Sequence, residues 1–214
     1  MKICRSFIII SLIFLEFGCS GMKKNVLQQS LASNNPKIKN VMSNPDDFEI
    51  QIIYTQILRD KNNKVTFKDF TYHLNANNYF YPASTVKFPI AILALEKLNT
   101  IKNTSNNTSY SIEGKLDTLR FSEEISKIFA VSDNEASTNL LEFAGFDYVN
   151  ESMAAKGLAP FKLSHRLSTS NPGDPKTKAV TLYKDDAAIV NLPAFTNKSN
   201  VAFPEETETA PGLP

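Results

Sequence analysis

The 214 residues are enough for one domain with a real core and too few for two of ordinary size. Lysine plus arginine (23) nearly balance aspartate plus glutamate (22), and a net charge of +1 gives no electrostatic reason for nucleic acid or an anionic surface as partner. With 42% apolar and 21% charged residues the composition is ordinary for a globular protein, except in its first twenty positions.

In those positions Lys2 and Arg5 precede an apolar run, Phe7-Ile8-Ile9-Ile10-Ser11-Leu12-Ile13-Phe14-Leu15, which ends at Gly18-Cys19-Ser20. A short positive segment before an apolar stretch too short to span a bilayer predicts an export signal over residues 1–18. The Gly18-Cys19 step resembles a bacterial lipobox, in which the cysteine is lipidated and becomes the mature N-terminus. Glu16 and Phe17 depart from the small and aliphatic residues usual there, and a plain cleavable signal is the alternative. Cys4 is lost with the signal, so the exported body keeps no free thiol for a disulfide or a metal. A lipid on Cys19 implies a chain held at a membrane of the cell envelope and facing the periplasm.

Residues 19–44 form a polar spacer leading into a first helix. Val26, Leu27, Leu31, Ile38 and Val41 give weak helical spacing, interrupted by Pro36. The body runs over 45–203. Phe48 to Leu74 predicts a β-hairpin: Ile50, Ile52, Ile53, Tyr54 and Ile57 on one strand, a turn at Asp60 to Lys64, and Val65, Phe67, Phe70, Tyr72 and Leu74 on the return. The period then changes. Ser84 to Leu98 carries Val86, Ile90, Leu93, Ala94 and Leu98 at the spacing of a buried helix. Asn99 to Ser111, an Asn/Thr/Ser tract, predicts a loop. Phe121 to Ala144 predicts two helices joined at Val131 to Asn134, and Phe146 to Lys156 a third, stopped by Gly157. After Ser168 only Lys178 to Tyr183 and Ala187 to Leu192 look strand-like, and the acidic, proline-bearing residues 204–214 predict an unstructured tail.

The chemistry concentrates in Tyr81-Pro82-Ala83-Ser84-Thr85-Val86-Lys87. Pro82 and Ala83 suit a helix entry, which puts Ser84 in the first turn and Lys87 on the same face at hydrogen-bonding distance. A serine hydroxyl needs a base to become a nucleophile, and a lysine desolvated against an apolar helix can act as one. Backbone N–H groups at the helix start add oxyanion stabilisation. Ser-x-x-Lys alone is weak, since Ser20-Gly21-Met22-Lys23 also matches it beside the expected lipid anchor. Ser132-Asp133-Asn134, between two helical patterns, raises its weight. Ser132 can relay a proton between Lys87 and a leaving nitrogen, Asn134 can hydrogen-bond a substrate amide, and Asp133 fits a structural cap.

Together these motifs resemble the class A β-lactamases and the penicillin-binding proteins that share their fold, over roughly Phe48 to Arg166. The resemblance implies an α+β fold, a helical subdomain beside an antiparallel sheet, and acyl transfer from a β-lactam or peptidoglycan-like amide. It implies Ser84 as acylated nucleophile, Lys87 as base, Ser132 as relay and Asn134 as substrate contact.

Three features depart from the family. The K-T-G strand is missing: Lys176-Thr177-Lys178 is a loop sequence, and too little chain follows for the remaining sheet and C-terminal helix, which implies an incomplete C-terminus. Phe161 to Thr169, the stretch comparable to the loop bearing the family's deacylating glutamate, holds no acid, which implies a trapped acyl-enzyme. Pro89 removes a backbone hydrogen bond from the catalytic helix. A D-alanyl-D-alanine peptidase and a non-catalytic envelope lipoprotein are the competing expectations. His73 and His165 are isolated, and without an H-E-x-x-H, paired-cysteine or P-loop pattern neither metal nor other cofactor is expected.

Overall fold

The computed structural model describes residues 24–78 and 80–198. The expected signal, Cys19, the Ser20–Lys23 motif and the tail over 204–214 lie outside them. The chain forms two compact units that meet in sequence after Asn78.

The first unit holds two short helices and a hairpin. In α1 (Val26–Leu31) Asn25 and Gln28 cap each other's backbone N–H groups. Pro36 does more than interrupt the pattern. It stands at the first position of α2 (Pro36–Ser43), where its missing N–H costs nothing, and the Asn35 side chain accepts from Lys37 N. Strands β1 (Ile52–Arg59) and β2 (Val65–Tyr72) pair antiparallel from Ile52↔Tyr72 to Arg59↔Val65, as their β-branched and aromatic content predicts. Asp60 closes the turn by accepting from the N–H groups of Asn62 and Lys64 at 2.8 and 2.9 Å.

The second unit has α+β architecture. A 3₁₀ turn (Ala83–Val86) runs into α3 (Lys87–Asn99). Strands β3 (Ser109–Ile112) and β4 (Leu119–Arg120) lead into α4 (Phe121–Val131), α5 (Asn134–Ala144) and α6 (Phe146–Ala155). Strands β5 (Val180–Lys184) and β6 (Ala187–Leu192) complete an antiparallel sheet of order β4-β3-β5-β6. The loop expected to reach Ser111 is therefore shorter. Ser109-Tyr110-Ser111-Ile112 alternates polar and apolar residues, and Tyr110 and Ile112 point into the core opposite Leu182 and Val180. The polar composition around this tetrapeptide hides its period of two.

Helix α5 is the hub. Every residue from Ala136 to Ala144 is buried, including Ser137, Thr138, Asn139 and Glu142. It packs on α3, α4 and α6, and its Leu140, Leu141 and Phe143 join Ile90, Leu93 and Leu98 of α3 and Phe121 and Ile128 of α4 in one core. Phe121 stands at the centre, its ring 4.4 Å from Tyr110 and 4.8 Å from Phe143. Ala91 and Ala94 are fully buried on α3, where small side chains let two helices approach closely. Pro89 is the third residue of α3, in its first turn, where a proline that donates no N–H is best tolerated.

Candidate active site

Ser84 and Lys87 stand on the 3₁₀ turn that opens α3. Ala83 takes a φ of +46°, a left-handed value costly for any residue with a Cβ. From there the chain winds at about three residues per turn, which brings positions i and i+3 onto one side. The Lys87 N–H donates back to the Ser84 carbonyl, closing that turn.

Lys87 is 2% exposed. Its amine donates to the Ser132 hydroxyl at 3.0 Å and to the Ser132 carbonyl oxygen. This corrects the expected Ser84–Lys87 hydrogen bond: both donations go to Ser132, and the exposed Ser84 hydroxyl bonds none of the described residues. The reason lies in the backbone at Ser132. It ends α4 in the left-handed region (φ 56°, ψ 44°), its N–H donating to Ile128 O at 3.0 Å, and this bend presents its carbonyl and hydroxyl to the lysine together.

Asp133 caps α5 by accepting from Ala136 N at 2.8 Å, the structural role its position predicts. Asn134 is the first residue of α5, and its Nδ2 donates to Ser168 Oγ at 2.8 Å. Ser84, Ser132 and Asn134 are exposed and Lys87 is buried, so the hydroxyls and the amide are accessible from solvent.

Two polar systems fix this face, and sequence reasoning found neither. In the first, buried Glu124 of α4 accepts from Asn139 Nδ2 at 2.7 Å and from Lys127 at 2.7 Å, tying α4 to α5 on either side of Ser132. The hydrogen bond to Glu124, ahead of the attraction of neighbouring carboxylates, raises the Lys127 pKa. Lys115 donates to Asn139 Oδ1 and to Glu135 Oε1, both at 2.6 Å, extending the network to the segment after β3.

The second system runs along one stripe of α5. Asn134, Thr138 and Glu142 follow at i, i+4 and i+8 and meet Ser168, Leu167 and Arg166 in reverse order. Thr138 Oγ1 donates to Leu167 O at 2.8 Å. Arg166, 6% exposed, donates to Glu142, 5% exposed, at 2.6 Å through Nε and at 3.3 Å through Nη2. Glu142 also accepts from Lys178 N at 2.8 Å, and the Arg166 guanidinium lies 5.1 Å from the Phe146 ring centre. The sequence carried one signal of this: Glu142 sits between Leu141 and Phe143 in a helix otherwise buried all round, where a charge requires a partner.

Between α5, the segment after β3 and the loop over 166–178 lies a cavity of about 600 Å³, bordered by Lys115, Glu135, Thr138, Glu142, Arg166 and Ser168 among others. None of Ser84, Lys87, Ser132 and Asn134 lines it. Among the described residues, Glu135 and Ser168 of its lining are the neighbours of Asn134 in sequence and by hydrogen bond. Lys176-Thr177-Lys178 lies outside the named strands, with Thr177 Oγ1 donating to Phe195 O at 3.2 Å. His73 stacks on Tyr72 and lies 3.9 Å from Asp46, and His165 Nδ1 is 3.5 Å from Ser164 Oγ. Among the described residues no three His, Cys, Asp or Glu side chains are grouped to hold a metal ion.

No curated protein and no solved structure matches the chain significantly. Residues 35–199 match the family model described as "Beta-lactamase enzyme family", a span that takes in the Ser84–Lys87 turn, the Ser132–Asn134 loop and the strap clipped to α5. With three quarters of its sequence matched and helices set against antiparallel strands as that family requires, the chain belongs to the β-lactamase enzyme family.

Proposed function

We propose that the protein transfers the acyl group of a β-lactam, or of a related peptidoglycan-type amide, to Ser84. What supports this reading is the buried amine of Lys87, donated to the Ser132 hydroxyl at 3.0 Å and set one turn from an exposed serine. The Ser84 oxygen attacks the carbonyl carbon, and its proton passes to the Lys87 amine, directly or through the Ser132 hydroxyl. The carbon–nitrogen bond breaks as the proton reaches the leaving nitrogen, and an ester on Ser84 remains. Asn134 holds the substrate amide.

Deacylation is slow in this reading. The residue beside Asn134 is Ser168, and the carboxylates nearest in α5 are committed, Glu135 to Lys115 and Glu142 to Arg166. Among the described residues no carboxylate hydrogen-bonds Lys87, Ser132 or Asn134, and Asp133 is occupied as the cap of α5, an arrangement that favours a penicillin-binding or peptidase-like protein over a fast hydrolase. The same reading has the chain exported and held at the envelope membrane by a lipid on Cys19, which the mass of the mature N-terminus tests.

Incubation with benzylpenicillin followed by intact-mass measurement tests the acyl transfer. A lasting adduct on wild type and none on Ser84→Ala is the expected result. An adduct of equal yield on Ser84→Ala rejects Ser84 as nucleophile, and rapid hydrolysis with no adduct rejects slow deacylation.

A further inference from the structure

We propose that Ser168 is a positioning residue of the acyl-transfer site, holding the Asn134 amide so that the protein prefers substrates carrying an acylamino group beside the reacting carbonyl. The inference rests on the functional reading above and extends it to a residue outside both motifs.

The contact between Ser168 and Asn134 is the last rung of a ladder and not an isolated surface hydrogen bond. Three consecutive loop residues meet three successive turns of α5: Arg166 on Glu142, Leu167 on Thr138, Ser168 on Asn134. The first two rungs are anchored by a buried ion pair and by a threonine that both donates to Leu167 O and accepts from Leu167 N at 3.3 Å. Arg166 N also donates to Pro172 O at 2.8 Å, closing the loop on itself. The backbone at Ser168 is thus fixed from one side, and it is fixed in an unfavourable form, φ +54°, which a serine tolerates poorly. A strained, non-glycine residue pinned beside a reactive face points to a use for its side chain.

That use follows from the chemistry of Asn134. Its side chain starts α5, is exposed and, without a partner, turns freely through its rotamers. The Ser168 hydroxyl takes one N–H of the amide at 2.8 Å and leaves the second N–H and the Oδ1 for a ligand. An acylamino group, with one C=O and one N–H, is the complement of that pair. A substrate without it gains little from an oriented amide. Selectivity between the two kinds of substrate is therefore the quantity that Ser168 controls.

The experiment compares second-order acylation of Ser84 by benzylpenicillin, which carries the acylamino group, and by 6-aminopenicillanic acid, which lacks the acyl part, in wild type, Ser168→Gly and Ser168→Asn. Glycine relieves the left-handed backbone while removing the hydroxyl, so a folding defect is not expected, and the melting temperature checks this. Loss of one oriented hydrogen bond lowers the preference for benzylpenicillin by about threefold to tenfold in Ser168→Gly, mainly through weaker pre-covalent binding. Ser168→Asn, which tolerates the left-handed region and offers a carbonyl acceptor, restores much of it. An unchanged preference in Ser168→Gly, or an equal fall with both probes, overturns the positioning role while leaving acyl transfer standing. Neither adduct nor hydrolysis on wild type with either probe overturns both.

Discussion

Lys87 carries a large share of the functional reading, and its environment makes a sharp prediction. Its amine is buried and, among the described residues, donates to Ser132, so Lys87→Met keeps the stem packed and removes the nitrogen. Adduct formation on Ser84, followed by mass against time, should fall by about 10²- to 10⁴-fold, the usual worth of a positioned base. Loss of less than threefold would make Lys87 a structural lysine. At this scale the two motifs were legible because each is a short string in which residue type and spacing carry the chemistry. The pairing of Lys87 with Ser132 was legible in the relay expected of Ser132, but its form, with the Ser132 carbonyl as second acceptor, was not. It depends on a left-handed backbone at Ser132, and nothing local in Val131-Ser132-Asp133 demands one. Ser168 and Arg166 were not legible at all as partners of α5, because their pairing is between segments far apart in sequence.

The helices follow from periodicity, since α3 through α6 start and stop close to where apolar spacing and caps put them. Strand β3 was missed because four residues in a polar tract give too short a window for a period of two. Helices α3 and α5 also make a pH-dependent joint. Lys97, in the last turn of α3, donates to the Phe143 and Ala144 carbonyls at 2.7 and 2.9 Å and covers the end of α5. Burial lowers its pKa from 10.5 to about 8. Between these values the unfolded chain holds a proton that the folded chain has released, so Lys97 makes stability rise with pH across that window. Below about 8 both forms are protonated, and the full cost of the buried charge is present. Urea unfolding between pH 8 and 10.5 should show the rise, and Lys97→Met should flatten it. An identical slope in the variant would assign the effect to other groups.

Within the second unit, the loop over 166–178 is held by a buried ion pair that joins it to the central helix. Removing one partner leaves the other charged and dry, so Arg166→Met should cost about 3–5 kcal/mol in urea unfolding. Glu142→Leu combined with Arg166→Met should cost clearly less than the two single changes added, because no unpaired charge remains. Strict additivity would show that the pair is not coupled. The fold class was legible from the order of helices and strands, whereas this clip required knowing which face of α5 the returning chain covers. Three non-glycine residues with positive φ surround the reactive face: Ala83, Ser132 and Ser168. A selection for heat resistance alone would draw glycine to all three, since each relieves a crowded backbone. At position 83 the exchange forfeits only a methyl group. At 132 it forfeits the hydroxyl that relays a proton and at 168 the one that holds Asn134, so a lineage drifting toward greater robustness would lose rate and selectivity through the very changes that made it sturdier.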